Sequence, residues 1–155
     1  MEKETIYLSL GTNLGNREQN LICAIELLSR ILGNPLAIAP TIETKPWGFQ
    51  SENLFLNTVA AFDTILSPHE LLAATQEIER TLGRTTKSID GEYKDRPIDI
   101  DILLYGNNII NSPKLTIPHP LMHKRLFVLQ PLASIAPQLQ HPILNKSMTE
   151  LLKEI

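Results

Sequence analysis

The chain has few of the residues that form covalent cross-links or that favour nucleic acids and membranes. It holds one cysteine among 155 residues, which excludes an internal disulfide, and the helical pattern around Cys23 predicts a small buried side chain. The formal net charge of −3 gives no general attraction for nucleic acid or for an anionic membrane surface. No apolar run approaches the length of a membrane span, and the N-terminus shows no signal-peptide pattern, so we expect a cytoplasmic protein.

Several motifs of nucleotide and metal chemistry are also missing. There is no Gly-x-x-x-x-Gly-Lys-Ser/Thr loop and no Gly-x-Gly-x-x-Gly fingerprint in the sequence. The four histidines are not spaced as zinc ligands, and no serine, threonine or cysteine has the partners of a nucleophilic triad. Phosphate chemistry in this chain would therefore depend on metal ions, cationic side chains and positioning.

The hydrophobic pattern predicts one α+β domain over residues 1–155, with elements in the order strand, helix, strand, strand, helix, strand. Capping residues at Asn16 and Ser67, each followed by apolar residues at helical spacing, mark the two helices. Because both helices are amphipathic, we predict a ferredoxin-like βαββαβ sandwich. Its antiparallel sheet would carry both helices on one face and the active site, covered by loops, on the other. The strands are expected near residues 6–10, 36–44, 54–63 and 98–104, and the extra C-terminal elements include a helix that begins at Ser147.

Two aspartates lie two residues apart in the apolar run that begins at Ile98. Because strand residues alternate between faces, Asp99 and Asp101 should project from the same face. Carboxylate oxygens on a rigid strand are ligands that Mg2+ prefers, with phosphate oxygens and water completing its shell. The alternative is a solvated pair on an exposed sheet face, the commoner role of an isolated Asp-x-Asp. The opposite, buried face should carry Ile98, Ile100, Ile102 and Leu104.

Basic side chains flank the aspartate pair on both sides. The polar segment 84–96 carries four cations within thirteen residues and leads directly into the pair. Downstream, His119 lies between two prolines in a stiff extended segment, and Arg125 follows it. If these groups converge, they would form a cationic rim that binds a metal-bound polyphosphate, whereas a solvated surface is the alternative. The rim would consist of Arg84, Lys87, Arg96, His119 and Arg125.

An ordered set of short motifs runs along nearly the whole chain. The central motif is Arg96-x-x-Asp99-Ile100-Asp101-Ile102-Leu103. The others are Leu10-Gly11-Thr12-Asn13-Leu14-Gly15, Glu43-Thr44-Lys45-Pro46-Trp47-Gly48, Phe55-Leu56-Asn57, Gln76-x-x-Glu79 with Gly83-Arg84, Ile117-Pro118-His119-Pro120, Arg125-x-Phe127 and Pro131-Leu132. No single motif is decisive, but the ordered set resembles the 6-hydroxymethyl-7,8-dihydropterin pyrophosphokinase family of folate biosynthesis.

The resemblance implies a reaction and its ligands. The hydroxymethyl oxygen of the pterin attacks the β-phosphorus of ATP, the pyrophosphoryl group is transferred whole, and AMP leaves. Two Mg2+ ions that bridge the ATP phosphates would be held by Asp99 and Asp101, and the further catalytic residues would be Arg84 and Arg96. The matching ATP-binding positions are Gln76, Arg84, Lys87, Arg96, Ile100, Thr116, His119 and Arg125. The matching pterin-binding positions are Thr44, Pro46, Trp47, Phe55, Asn57 and Phe127.

The chain departs from the family pattern mainly in the segment that follows Arg84. This segment is longer than in well-known relatives, and Thr86 stands where a second arginine is common. Tyr93 takes the place of an aromatic residue that is often tryptophan, and Lys45 occupies a position often held by proline. From its length and polarity we expect the segment to move and to close over ATP.

Two other functions fit parts of the pattern. Another Mg2+-dependent nucleotidyl or phosphoryl transferase would also use an Asp-x-Asp metal site, but the aromatic pair Phe55 and Phe127, with Asn57, favours a pterin pocket. A ferredoxin-like RNA-binding module would need aromatic residues on its central strands, and the two aspartates would repel RNA phosphates. We therefore expect a monomeric enzyme that binds ATP and a pterin but neither nucleic acid nor a membrane.

Overall fold

The computed structural model describes residues 2–45, 53–83 and 97–155, and an antiparallel sheet lies at its centre. The strands of this sheet are β1 (Glu4–Thr12), β2 (Ala37–Ile38), β3 (Ile42–Thr44), β4 (Phe55–Thr64) and β5 (Asp99–Tyr105). Strand β1 lies between β4 and β5, and both β2 and β3 pair with the other edge of β4. This order confirms the predicted ferredoxin-like arrangement, in which the first strand separates the third from the last.

The strand that was predicted over residues 36–44 is divided into two short strands. Pro40 lies between β2 and β3 and has no N–H with which to continue the ladder. The backbone on either side of the break still bonds to β4, as the Ala39 amide does to the Val59 carbonyl at 2.9 Å. The two short strands therefore lie along the same edge of β4, on either side of the proline, and both are antiparallel to it.

Both predicted helices begin at their predicted caps. Helix α1 spans Arg17–Leu32, and the Asn16 side chain accepts a hydrogen bond at 3.1 Å from the amide three residues later. Helix α2 spans Pro68–Thr81, and Ser67 and Glu70 form a capping box in which each side chain accepts a bond from the other's backbone N–H. Among the described helices, none is both long and apolar enough to cross a membrane.

Helices α1 and α2 pack on the same face of the sheet, as predicted. Their buried stripes meet Ile6, Leu8 and Leu10 of β1 in one hydrophobic core. In α1 the stripe runs through Leu21, Ala24 and Leu28. Cys23 lies beside this stripe rather than in it and is half-buried, so the prediction of a buried cysteine is wrong. Helical periodicity explains the difference, because position 23 turns toward the rim of the packed face.

The opposite face of the sheet is covered by helices, and not by loops alone as we expected. Helices α3 (Leu126–Ile135) and α4 (Met148–Lys153) pack against it and form a second hydrophobic core around Val59. Helix α4 begins at the predicted Ser147 capping box. Helix α3 was not predicted, because Pro131 lies inside it and a proline within an apolar run is normally a helix breaker.

Leu104 in β5, the strand that carries Asp99 and Asp101, faces the opposite side of the sheet from the one predicted. The pairing of β5 with β1 shifts by one residue between Tyr7 and Leu8, which leaves Leu103 as an extra residue in β5. Strict alternation therefore ends there, and Leu104 packs in the second core instead of joining Ile98 and its neighbours. The two aspartates precede the bulge, so their shared face is unaffected.

A buried histidine in the C-terminal region makes stability depend on pH. His141 is 4% exposed, and its Nδ1 accepts hydrogen bonds from the amides of Ile143 and Leu144 at 3.2 and 3.1 Å. Burial, and then the neighbouring His123 ring, lower the pKa of His141. The folded state therefore resists protonation that the unfolded chain accepts below about pH 6.5.

We expect the free energy of unfolding to fall as the pH is lowered from about 6.5 toward the depressed pKa of His141. Urea titrations at pH 7.5 and pH 5.5 would measure this loss. The matched variant is His141→Asn, whose Oδ1 can accept the same amide bonds without titrating. An equal loss of stability in the variant would show that another group is responsible.

Candidate active site

Three of the predicted site residues lie in two cross-strand rows on the sheet face that carries α3 and α4. In the first row Gly11 of β1 is the register partner of both Asn57 in β4 and Asp99 in β5. In the second row Ser9 is the partner of both Val59 and Asp101. Cross-strand partners point to the same face, so the structure brings Asn57, Asp99 and Asp101 onto one surface.

Asp101 faces two of the predicted cations. Its Oδ2 lies 3.8 Å from Nη1 of Arg125 and 3.9 Å from Nε2 of His119. The side chains of Asp101 and Arg125 are 24% and 9% exposed, so the attraction between them is only partly screened by water. Two members of the predicted cationic rim, Arg125 and His119, therefore lie beside Asp101.

The orientation of His119 is fixed by the backbone around it. Its amide donates to the Leu103 carbonyl at 3.0 Å, which ties the Pro-His-Pro arm to β5. The Leu121 amide donates to Nδ1 at 3.2 Å. Because Nδ1 accepts this hydrogen bond, Nε2 is the ring nitrogen that faces Asp101 and can act as a donor.

Arg125 connects the aspartate site to a predicted pterin contact. It precedes α3 directly, and its guanidinium carbon lies 5.5 Å from the centre of the Phe127 ring. Phe127 packs against the second core, which includes Val59 of β4. Helix α3 therefore places one cation and one aromatic ring above the sheet face that carries the aspartates.

Asn57 is oriented by its neighbour on the next strand. It is 4% exposed, and its Nδ2 donates to Oγ1 of Thr44 at 2.7 Å. Thr44 is the register partner of Phe55, which is half-buried. With Nδ2 engaged in this way, Oδ1 is the atom that can accept a hydrogen bond from a ligand.

Other predicted site residues lie apart from this surface or outside the described residues. The Ile100 side chain is in the core between the sheet and α1 and α2, on the face opposite the aspartates. Gln76 is half-buried in α2, and Thr116 is exposed in the short hairpin strand β7 (Thr116–Ile117), which pairs with β6 (Ile110–Asn111). The predicted residues that fall outside the described ranges are Pro46, Trp47, Arg84, Lys87 and Arg96.

The structure adds two residues to the site that sequence reasoning did not single out. Gly11 lies between Asn57 and Asp99, and Ser9 lies beside Asp101. Gly11 belongs to the first motif of the chain, and a glycine inside a strand is itself a signal of close approach by another group. Ser9 has no such signal, because only the register with β5 brings it to Asp101.

The segments that flank residues 46–52 are tied together by a clamp at the end of the sheet. Nη1 of Arg17 lies 2.8 Å from Oε2 of Glu43 and donates to the Leu54 carbonyl at 3.0 Å. Nδ2 of Asn13 donates to the Asn53 carbonyl at 3.2 Å. These bonds hold the end of β3 and the start of β4, which carry Thr44 and Phe55, against the chain that follows β1.

The chain is similar over most of its length to proteins of one family. The profile of the 7,8-dihydro-6-hydroxymethylpterin-pyrophosphokinase (HPPK) family matches residues 7–137. The chain belongs to this family. It is 51% identical over 138 residues to the 2-amino-4-hydroxy-6-hydroxymethyldihydropteridine pyrophosphokinase of Porphyromonas gingivalis, covering 88% of this chain and 93% of the relative. The corresponding enzyme of Aquifex aeolicus is 39% identical over 150 residues, covering 97% and 91%.

Solved structures support the fold of the HPPK family for this chain. The crystal structure of wild-type Plasmodium falciparum HPPK-DHPS with pteroate superposes with a TM-score of 0.78 at 16% identity. The match covers 99% of this chain and 42% of that longer chain. At this identity the likeness supports the fold, and the family assignment comes from the sequence relatives.

HPPK enzymes use ATP and generally Mg2+, and the donor set of this site suits that metal. Among residues 2–45, 53–83 and 97–155 no group of three or more histidine, cysteine, aspartate or glutamate side chains is arranged to hold a metal ion. Asp99 and Asp101 offer hard carboxylate oxygens on one face. Two carboxylates without a protein cage fit Mg2+, which keeps water and phosphate oxygens as its other ligands.

We expect Arg125 to contribute both charge and fork geometry to phosphate binding. Arg125→Lys keeps the charge and Arg125→Met keeps much of the apolar stem that packs near Phe127. Because a guanidinium binds phosphate in bidentate fashion, both variants should raise the KM for ATP, Met by at least about tenfold and Lys by less. Steady-state kinetics would measure this, and equal KM values in wild type and Arg125→Met would exclude a role in ATP binding.

Proposed function

We propose how the residues of this chain carry out the reaction of its family, the transfer of a pyrophosphoryl group from ATP to the hydroxymethyl group of 6-hydroxymethyl-7,8-dihydropterin in folate biosynthesis. AMP is the second product. The observation that supports the assignment best is the row formed by Asn57, Gly11 and Asp99 on neighbouring strands. It places Asn57, which can form a hydrogen bond with the edge of a pterin, close to Asp99, which can hold a metal ion.

The pterin would bind beside β3 and β4. Phe55 and Phe127 would stack on the two faces of the flat bicycle, as aromatic rings favour offset stacking. Oδ1 of Asn57, whose amide nitrogen is engaged by Thr44, would accept a hydrogen bond from an N–H on the edge of the pterin. Pro46 and Trp47, outside the described residues, would complete the pocket.

The phosphates of ATP would bind over β5. Asp99 and Asp101 would hold two Mg2+ ions, which would supply positive charge to neutralise the charge of the phosphates. Arg125 and His119, which face Asp101, would bind the phosphate oxygens next to it. The remaining proposed ATP contacts are Gln76, Arg84, Lys87, Arg96, Ile100 and Thr116. Of these, Ile100 would contribute its backbone carbonyl, since its side chain is in the core and its N–H donates to Glu79.

Positioning and charge are the contributions that these residues can make. The hydroxymethyl oxygen of the pterin forms a bond to the β-phosphorus and releases its proton to solvent, the bond from that phosphorus to the α,β-bridging oxygen breaks, and AMP departs with that oxygen. The chain's own groups align the two substrates across neighbouring strands and stabilise the charge that develops on the transferred phosphates. Arg84 and Arg96 would act at the same phosphates.

A product assay tests the proposed reaction. The protein is incubated with ATP, Mg2+ and 6-hydroxymethyl-7,8-dihydropterin, and the nucleotides are separated by chromatography. We expect AMP to form in step with the pterin pyrophosphate, and no turnover when the pterin is omitted. ADP as the product would instead support the alternative of a different Mg2+-dependent transferase.

We also propose that residues 1–155 form a single domain that works as a monomer in the cytoplasm, where ATP and Mg2+ are available. The continuous sheet from β2 to β5, with a core on each face, supports the single domain. Sedimentation equilibrium should give the mass of one 17.4 kDa chain. A mass twice as large would contradict the monomer.

A further inference from the structure

Glu79 is a buried carboxylate that lies next to β5 and is not among the proposed ATP or pterin contacts. Glu79 lies in the last turn of α2 and is 3% exposed. Burial of a carboxylate is unfavourable unless it is well bonded. The end of a helix is also the less favourable end for a negative charge, because the last carbonyls already carry partial negative charge. Stability of α2 alone therefore does not account for an acid at this position.

One hydrogen bond of Glu79 reaches the centre of the Asp-x-Asp motif. Its Oε2 accepts a hydrogen bond from the backbone N–H of Ile100 at 2.9 Å, and this bond is buried. The N–H belongs to the peptide that joins Asp99 to Ile100. Because β5 is the last strand in the described sheet order, β1 supports it from one edge and the bond from α2 supports it from the other.

We propose that Glu79 is a positioning residue for the metal-binding aspartates. Its carboxylate fixes the peptide between Asp99 and Ile100, and so sets the spacing and direction of the Asp99 and Asp101 side chains on the opposite face of β5. This inference rests on the proposed function, because it assumes that the two aspartates bind metal-bound ATP. A positioning role explains why a buried glutamate is bonded to the peptide between Asp99 and Ile100.

Charged groups nearby distinguish this position from the rest of the helix surface. Glu77, two residues earlier, is solvent-exposed and pairs with Arg80 at 2.6 Å. Glu77 therefore has the same chemistry as Glu79, on the same turn of α2, but faces away from β5. It serves as the matched control for loss of a carboxylate from this helix.

Two conservative variants separate the hydrogen bond from the charge. Glu79→Gln keeps an acceptor oxygen at the same distance from the helix but removes the charge, whereas Glu79→Asp keeps the charge but is one methylene too short to reach the Ile100 amide. If Glu79 acts by fixing the peptide, Gln should resemble wild type and Asp should be impaired. The two variants would rank in the reverse order if the negative charge itself were the contribution.

The test measures AMP release while the Mg2+ concentration is varied, together with calorimetric binding of Mg2+ and a non-hydrolysable ATP analogue. We expect Glu79→Asp to raise the half-saturating Mg2+ concentration by about tenfold, as loss of outer-shell partners does at other metal sites. Its KM for the pterin should not change. Glu79→Gln and Glu77→Gln should lie close to wild type in both measurements.

Three results would overturn the proposal. One is Glu79→Asp with wild-type Mg2+ dependence but a lower urea midpoint, which would show that the bond only supports the fold. The second is the reversed order of Gln and Asp, and the third is an equal effect of Glu77→Gln. If the wild-type protein released no AMP, the proposed function would fail first, and analogue binding would still test Glu79 by itself.

Discussion

Replacing Asp101 by Asn should reduce kcat/KM on the order of a thousandfold, because a neutral amide cannot hold Mg2+ at the transferring phosphates as a carboxylate does. Asn has the same shape as Asp, so the variant should fold normally. The Asp101 carboxylate is half-buried and faces the Arg125 guanidinium at 3.8 Å and Nε2 of His119 at 3.9 Å. Initial rates of AMP release at saturating pterin would measure the loss, and Asp99→Asn should behave similarly.

A second carboxylate in the same sheet provides the control for Asp101. Asp63 in β4 accepts a hydrogen bond from Oγ1 of Thr5 at 2.9 Å and lies far along the strand from Asn57. Asp63→Asn should retain wild-type kcat/KM. Thermal unfolding of all three variants should remain cooperative at a similar midpoint. A collapsed midpoint in Asp101→Asn, rather than lost turnover, would support a structural role for the pair.

Gly11→Ala should raise the KM for the pterin by about a hundredfold, an effect typical of one misplaced methyl group in a binding pocket. A Cβ at position 11 would lie 3.0 Å from Oδ1 of Asn57 and 3.5 Å from Cδ1 of Phe55. Gly11 is not among the glycines with positive φ, so its backbone does not require glycine. The missing side chain instead leaves room for the Asn57 and Phe55 side chains beside the strand.

The pterin effect should be separable from any general loss of stability. Calorimetric binding of an ATP analogue with Mg2+ should be nearly unchanged in Gly11→Ala. Gly33→Ala is the contrasting variant: its added Cβ would meet nothing within 4 Å, but its backbone has φ of 89°, which alanine tolerates poorly. Gly33→Ala should therefore lose stability and keep its pterin KM. Similar pterin KM values in the two variants would contradict a role for Gly11 in the pocket.

Local patterns predicted the secondary structure where a single signal dominates. The caps at Asn16, Ser67 and Ser147 begin the helices that they predicted, because each supplies an acceptor for backbone amides that have no partner inside the helix. Local patterns failed where two signals compete. Pro40 divided one predicted strand into two. Pro131 argued against a helix, but α3 forms because burial of its apolar side chains in the second core outweighs the cost of a proline inside a helix.

Part of the candidate site could also be predicted from the local sequence pattern of β5. The two-residue repeat placed Asp99 and Asp101 on one face and Ile98 and Ile100 on the other, and the structure agrees up to the bulge at Leu103. Beyond the bulge the prediction for Leu104 is wrong, since an extra residue in one strand cannot be seen without its partner strand. The predicted closure of the segment after Arg84 lies outside the described residues and stays a prediction.

By itself, the sequence determined the family, the order of the elements as far as β5 except for the break at Pro40, and the shared face of the aspartate pair, because motifs and periodicity are properties of neighbouring residues. Tertiary structure alone decided which distant residues meet. The insertion of β1 between β4 and β5 puts Gly11 between Asn57 and Asp99. Each of these three residues is separated from the next along the chain by at least one helix. The packing of α2 against β5 brings Glu79 to the Ile100 amide. Such contacts depend on strand order and register, which are set by the burial of both sheet faces together.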